Sequence, residues 1–211
     1  ANISVKLSQL GMGVDDDLAA ASLDALAAAA AEAGTTVTVD MEESAVTEVT
    51  IDIYERAQRR HGNLGVAVQS YLHRTPADLD RLVPLGGHIR LCKGAYDEPH
   101  EVVLGTKREV DEAFDALAGR LMAEPGVKPA VATHDEARIA LVEALAAGRD
   151  EPFEFQMLYG VRGRFQAELV GRGHPLRVYV PYGDSWYPYL TRRLAERPAN
   201  LWFFVRALLG R

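Results

Sequence analysis

Short runs rich in apolar and β-branched residues alternate along the chain with longer stretches whose apolar positions recur at helical spacing. The runs predict strands over residues 3–7, 36–40, 64–69, 88–92, 129–133, 153–156 and 176–180. Between them the periodicity predicts helices over residues 15–33, 44–61, 75–83, 101–123, 135–147 and 162–171, with a last one over 185–208. Gly34, Gly62, Gly86 and Gly148 stand where helices should stop. Repeated βα units with near-continuous apolar strands are the pattern of a parallel sheet covered on both faces.

Such a sheet either lies open or closes into a barrel. An open dinucleotide-binding sheet carries Gly-x-Gly-x-x-Gly after its first strand. Here Gly11 and Gly13 are followed by Asp16 at the third glycine's place, which leaves a plain loop. The strand ends favour the barrel, because that fold builds its catalytic face from the C-terminal ends of many strands at once. In chain order these ends carry Lys6, Asp40 with Glu42, Gln69 with Tyr71, Arg90 with Lys93, Thr133 with His134 and Asp135, Gln156 with Tyr159, and Tyr179. The expected fold is α/β, a (βα)8-type TIM-like barrel with seven recognisable units, forming one catalytic domain over residues 1–211. An eight-stranded barrel takes roughly 250 residues, and this chain opens on a strand at Ala1. The expectation is therefore an N-terminal truncation that leaves out the first strand.

Composition narrows the partners. Lys and Arg total 23 against 30 Asp and Glu, a formal charge of -7, so nothing in the net charge draws the chain to phosphate backbones, and nucleic acid is not an expected partner. Hydrophobic residues make up 48% and charged residues 25%, enough apolar material for a core and incompatible with disorder. The single cysteine, Cys92, lies in an apolar run and reads as a core thiol. No run is long enough to span a bilayer and no signal peptide opens the chain, so the expected location is cytoplasmic.

Two segments concentrate chemistry. Arg90-Leu91-Cys92-Lys93-Gly94-Ala95-Tyr96 puts two cations at one strand end, followed by a glycine that admits close backbone approach, which suits an anionic or electron-rich cofactor. Lys6 is placed to join that cluster; an internal ion pair with Asp40 or Glu42 is the plainer explanation of the same charges. On the last helix Tyr189, Arg192, Arg193 and Glu196 fall at offsets 0, 3, 4 and 7 and share a face. Two guanidiniums beside an aromatic ring and a carboxylate make a clamp for a small zwitterion, unless the face is merely solvated. His134 has no histidine at ligand spacing, so a hydrogen-bonding role is expected and no metal site. Asp40, Glu42 and Glu43 form a possible two-carboxylate acid/base site, although the start of a helix also favours acids there. Ser70 and Cys92 lack the context of a nucleophile.

These residues resemble a known family. Ser4-Val5-Lys6-Leu7-Ser8, Val39-Asp40-Met41-Glu42, Gln69-Ser70-Tyr71-Leu72, the Arg90 to Tyr96 segment, Ala132-Thr133-His134-Asp135, Phe153 to Gly160, Arg177 to Gly183 and the Tyr189 to Glu196 helix are similar, in order, to proline dehydrogenase, including the corresponding domain of proline utilization A. The resemblance implies a bacterial flavoprotein barrel that oxidises L-proline to Δ1-pyrroline-5-carboxylate by hydride transfer to N5 of FAD, passes electrons to a quinone, and touches the inner membrane peripherally. By the same resemblance Arg192 and Arg193 bind the proline carboxylate and Glu196 orients them, while Lys6, Leu158, Tyr179 and Tyr189 wall the pocket. Arg90 sits near N5, with Lys93, Gly94, Ala95, Tyr96, Gln69, Thr133, His134 and Gln156 along the cofactor and Asp40 supporting the pocket beside Tyr179. Lys6, Asp40, Arg90 and Tyr179 form its catalytic group. Asp97 stands where some relatives carry an aromatic ring, and residues 99–108 match the family poorly. The rival expectations are another barrel flavoprotein similar to methylenetetrahydrofolate reductase, and a non-catalytic fragment that keeps the proline pocket.

Overall fold

The computed structural model describes residues 2–183. The chain divides into two compact units, Ala1–Val178 and Tyr179–Arg211. Within the described residues the order is β1 (Asn2–Val5), α1 (Asp16–Glu32), β2 (Thr36–Val39), α2 (Thr47–His61), β3 (Leu64–Gln69), α3 (Thr75–Leu82), β4 (Gly87–Cys92), α4 (Lys107–Ala123), β5 (Val127–Ala132), α5 (Glu136–Ala146), β6 (Glu154–Leu158), α6 (Gly163–Gly171) and β7 (Leu176–Tyr179), with short 3-10 turns between some of them. The strands lie side by side in chain order, β1 to β7, in one sheet. Parallel pairing runs from β1 through β6, with Ser4 opposite Thr38, Val66 opposite Ile89, Arg90 opposite Ala130 and Ala132 opposite Gln156. Sequential order without a reversal is barrel topology, and no switch point of the open dinucleotide-binding kind exists among these strands.

Local chemistry sets the helix ends. Asp15 caps α1 by accepting from the backbone N–H groups of Asp17 and Leu18, and Asp16 and Asp17 add negative charge to its first turn. Thr106 and Glu109 form a reciprocal capping box at the start of α4. That box starts the helix at Lys107, six residues later than the expected position 101, and leaves residues 93–106 as a long loop. Gly62 ends α2 with φ 70°, a left-handed stop. Gly148, expected to do the same, has no such role, because α5 ends at right-handed Ala147.

The strands are not apolar on both faces, contrary to the expectation. Val37, Val39, Val66, Val68, Ile89, Leu91, Val131, Phe155 and Met157 alternate along β2 to β6 and pack with helix residues such as Leu23, Ile51, Leu79, Phe114, Leu121 and Ile139 in one core. The intervening positions are polar or small: Ser4, Thr38, Gly65, Ala67, His88, Arg90, Ala130, Glu154 and Gln156. At Gly65 the missing side chain matters. A Cβ there would lie 2.7 Å from the His88 carbonyl oxygen and 2.9 Å from its Cβ, so only glycine lets β4 bring His88 alongside.

The polar set also shows that the sheet curls. Arg90 on β4 donates to Ser4 on β1 at 2.8 Å and to Gln156 on β6 at 2.6 Å. A flat sheet would hold β1 and β6 five strand spacings apart, roughly 24 Å, far beyond the reach of one guanidinium. Cys92, expected in the core, is only partly buried.

Candidate active site

The structure assembles three ionic clusters, one along the strands and two just past their C-terminal ends. The first is the interior one. Arg90, 5% exposed, donates from Nε to Gln156 Oε1, from Nη2 to Ser4 Oγ and from Nη1 to Asp40 Oδ1, just past β2. The Arg90–Asp40 ion pair is the plainer of the two readings its charge allowed. Gln156 in turn donates from Nε2 to Glu154 Oε1 at 2.6 Å, and Glu154 receives both a 2.6 Å and a 2.7 Å bond from Arg177. His88 sits 3.3 Å from the same Gln156 nitrogen. Burial pushes His88 down to about 4, with the Arg90, Arg177 and Lys128 charges assisting and Glu154 opposing. Glu154 is held below the usual carboxylate range: burial alone would raise it, but the bonds from Arg177 and Gln156 outweigh that.

The second cluster surrounds Lys6, one residue beyond β1. Its ammonium donates to the Tyr96 hydroxyl at 2.7 Å and lies 4.0 Å from Glu42. Glu42 is buried and accepts from the Ser8 backbone N–H at 3.1 Å and the Ser8 hydroxyl at 2.7 Å, while its carbonyl accepts from the Gln69 amide at 2.9 Å. Asp40 and Glu42 thus serve different cations, and Glu43 is exposed ahead of α2, where a helix start favours acids. No acid/base pair of carboxylates is assembled from these three.

The third cluster belongs to Lys93, which bonds Asp111 on α4 and, at 2.9 Å, Asp135 at the start of α5. Its carboxylate partners are therefore neither Asp40 nor Glu42. Burial would raise Asp135, but the Lys93 bond and charge prevail and hold it at about 2; Asp111 is lowered by Lys93 and Lys107 against the same opposing burial.

The loop after β4 covers this end. Gly94, at φ 123°, is another position where glycine is required: an added Cβ would stand 2.3 Å from the Tyr71 ring. The Tyr71 ring packs against the bare α-carbon of Gly94. Burial, with Glu98 nearby, pushes the Tyr71 phenol well above its ordinary range. Glu98 accepts from both the backbone N–H and the hydroxyl of Ser44, fastening the loop to the turn that precedes α2. Ala95 and Tyr96 are half-buried, and Asp97 is exposed.

At β5 and β6, His134 Nε2 accepts from the Leu158 backbone N–H at 3.1 Å, the hydrogen-bonding role expected of it. Thr133 is buried and its hydroxyl accepts from the Asp135 N–H at 3.1 Å. Arg162 donates to the His134 carbonyl at 2.7 Å and has φ 57°, the one left-handed non-glycine among the described residues. No group of His, Cys, Asp and Glu among the described residues is arranged to hold a metal ion. Tyr179 closes β7 as the first residue of the second unit. Tyr189, Arg192, Arg193 and Glu196 lie outside the described residues.

Sequence reasoning missed Ser4, His88, Asp111, Glu154 and Arg177 as members of these networks. The signal was there as polar residues two apart on strands, His88 with Arg90 and Glu154 with Gln156, which period-2 alternation places on one face.

Sequential parallel strands whose C-terminal ends gather cations and hydrogen-bond donors define a TIM-like barrel enzyme. The proline dehydrogenase family model matches residues 1–206, and the chain belongs to that family. It is an oxidoreductase that acts on proline. Proline dehydrogenase 1 of Bacillus subtilis is 40% identical over 99% of this chain and 70% of its own length, and proline dehydrogenase of Deinococcus radiodurans is 38% identical over 98% and 69%. Among solved structures, proline utilization A of Bdellovibrio bacteriovorus, inactivated by N-propargylglycine, superposes with a TM-score of 0.83 at 26% identity over 90% of this chain, which spans 24% of that protein.

Proposed function

We propose that the chain is a catalytic barrel that binds FAD and oxidises L-proline to Δ1-pyrroline-5-carboxylate, with a quinone as the eventual electron acceptor. The observation that carries this reading is a set of cations at and just past the strands, two of them partly open and one enclosed. Lys6, past β1, and Lys93, past β4, keep 28% and 24% of their side-chain surface open, and Arg90 on β4 is almost fully enclosed. A donor set of two ammonium groups, a guanidinium and the Gln69 amide fits a cofactor that carries phosphates and gains negative charge on reduction.

When bound, FAD would supply the hydride acceptor, its N5. Every other task falls to the chain. Arg90 would hold a fixed positive charge beside the flavin ring, ready before the charge develops, which is where electrostatic catalysis is strongest. Lys93, Gly94, Ala95, Tyr96, Gln69, Thr133, His134 and Gln156 would line the cofactor, directly or through the bonds described. Lys6, Leu158, Tyr179 and Tyr189 would wall the substrate pocket, with Asp40 supporting it. Arg192 and Arg193 would take the proline carboxylate and Glu196 would orient them, fixing the ring carbon next to nitrogen at transfer distance. Proline must react as the free amine, losing the N–H proton and a hydride from that carbon to leave a C=N bond.

No helix among the described residues is long and apolar enough to cross a membrane; the proposed contact with a membrane-borne quinone is a peripheral one. The test is the visible spectrum of FAD-loaded protein before and after L-proline without oxygen. Flavin bands that bleach are expected. Bands that persist overturn the substrate, and failure to take up FAD overturns the cofactor.

A further inference from the structure

The geometry points to Glu154 as a positioning residue that fixes the amide of Gln156 and, through it, the direction of the Arg90 guanidinium. The inference rests on the proposed place of Arg90 beside the flavin.

A glutamine side chain is nearly symmetric in shape, and its two ends differ only in what they can bond. Gln156 is 4% exposed, so neither end can turn to water. On one side stands the Nε–H of Arg90, which can only donate. On the other stands Glu154, an acceptor held by Arg177 through both of its oxygens. The amide therefore has one satisfied orientation, NH2 toward Glu154 at 2.6 Å and C=O toward Arg90 at 2.6 Å. Turning it over would set NH2 against N–H and oxygen against carboxylate, two buried mismatches at once. His88 reinforces the same choice: its Nε2 lies 3.3 Å from the Gln156 nitrogen, and burial keeps the ring neutral and able to accept.

The chain Arg177, Glu154, Gln156, Arg90 runs across β7, β6 and β4 without a gap. Its effect is directional. Asp40 and Ser4 hold the two Nη atoms and Gln156 holds Nε, so these three partners together fix the plane of the guanidinium. Glu154 does not touch Arg90; it acts by deciding which end of Gln156 faces it.

The test uses the full chain loaded with FAD and the variants Glu154→Gln, Arg90→Met and the exchange Glu154→Gln with Gln156→Glu. Two quantities are read: the Nε–Hε resonance of Arg90 in a nitrogen–proton NMR spectrum, assigned by its loss in Arg90→Met, and the reduction potential of the bound flavin. In Glu154→Gln the resonance should broaden or vanish. The oxidised-to-reduced equilibrium should shift in the direction produced by Arg90→Met, by roughly three- to tenfold, the worth of one hydrogen bond. The exchange variant should restore the resonance, because a carboxylate at 156 accepts from Arg90 in either orientation, and it answers the question even if the single variant does not fold. An Arg90 resonance and a potential unchanged in Glu154→Gln, with Arg90→Met still shifting the potential, overturn the positioning role and leave the proposed function standing. A potential that Arg90→Met does not move overturns the place of Arg90 beside the flavin, while the resonance still decides whether Glu154 orients it.

Discussion

The ammonium of Lys6, just past β1, donates to the hydroxyl of Tyr96 in the loop after β4 at 2.7 Å, joining two segments ninety residues apart. Glu42 stands farther off, at 4.0 Å, so the phenol is the nearer of the two groups that fix the lysine. Tyr96→Phe removes that acceptor and keeps the ring. Expected is a loss of about 1 kcal/mol in folding stability, read from the urea midpoint, together with faster proteolysis within residues 93–106. An unchanged midpoint and cleavage rate would show that the bond does not anchor the loop.

Gly94→Ala should be far more damaging than a glycine replacement in an ordinary loop. The new methyl would meet the Tyr71 ring at 2.3 Å, on a backbone whose φ of 123° already disfavours a side chain. A cost of roughly 2–4 kcal/mol is expected. Adding Tyr71→Leu should recover part of it, because the collision is relieved while the backbone strain stays. Thermal denaturation of the three proteins separates the two contributions.

Acid stability should fall in two windows. His88 titrates near 4 in the folded chain against 6.5 free, so the unfolded chain binds one more proton between those values. Stability from this group is complete above pH 6.5 and declines as pH falls toward 4, by an amount on the order of 2–3 kcal/mol. Asp135, lowered from 3.8 to about 2, contributes stability that is complete above 3.8 and lost only below it. His88→Gln should flatten the upper window and leave the lower one, as measured by denaturant unfolding at pH 7, 5 and 3. A slope between pH 6.5 and 4 that persists in His88→Gln would assign it to another group.

Arg192→Met and Arg193→Met test the proposed carboxylate clamp. Each should weaken proline capture by roughly 1.5–3 kcal/mol, the value of a charge-assisted hydrogen bond, without releasing flavin. Steady-state kcat/KM with proline and the flavin absorbance per chain give both readings. Parent-like kinetics in both variants would remove these residues from the substrate site.

The order of elements was readable because alternation of period 2 and period 3.6 is a local property. All seven strands fall within a few residues of where the pattern predicts them, and the parallel, sequential sheet follows from their spacing. The start of α4 was misplaced although Thr106 and Glu109 carry the capping-box signature, because apolar Val102, Val103 and Leu104 mimic helical periodicity just before it. The interior was harder to read. Arg90 and Lys93 are three residues apart and look like one cationic site, but Arg90 sits on the inner face of β4 and Lys93 lies past the strand's end, so they acquire different carboxylates. Which partner each finds depends on how the sheet curls, and that curl is not a property of any short segment.

The curl of the sheet gives the inner arginine two duties. Its guanidinium is a charge, and it is also a rivet through three walls, joining β1, the end of β2 and β6. Replacing it alters the field inside the barrel and the curvature of the barrel wall together. The two come apart at its partners. Ser4→Ala takes one wall off the rivet and leaves the charge, whereas Asp40→Asn leaves a group able to bond and removes the neutralising ion. The electrical and the mechanical behaviour of this interior are therefore encoded at different positions, although one side chain carries both.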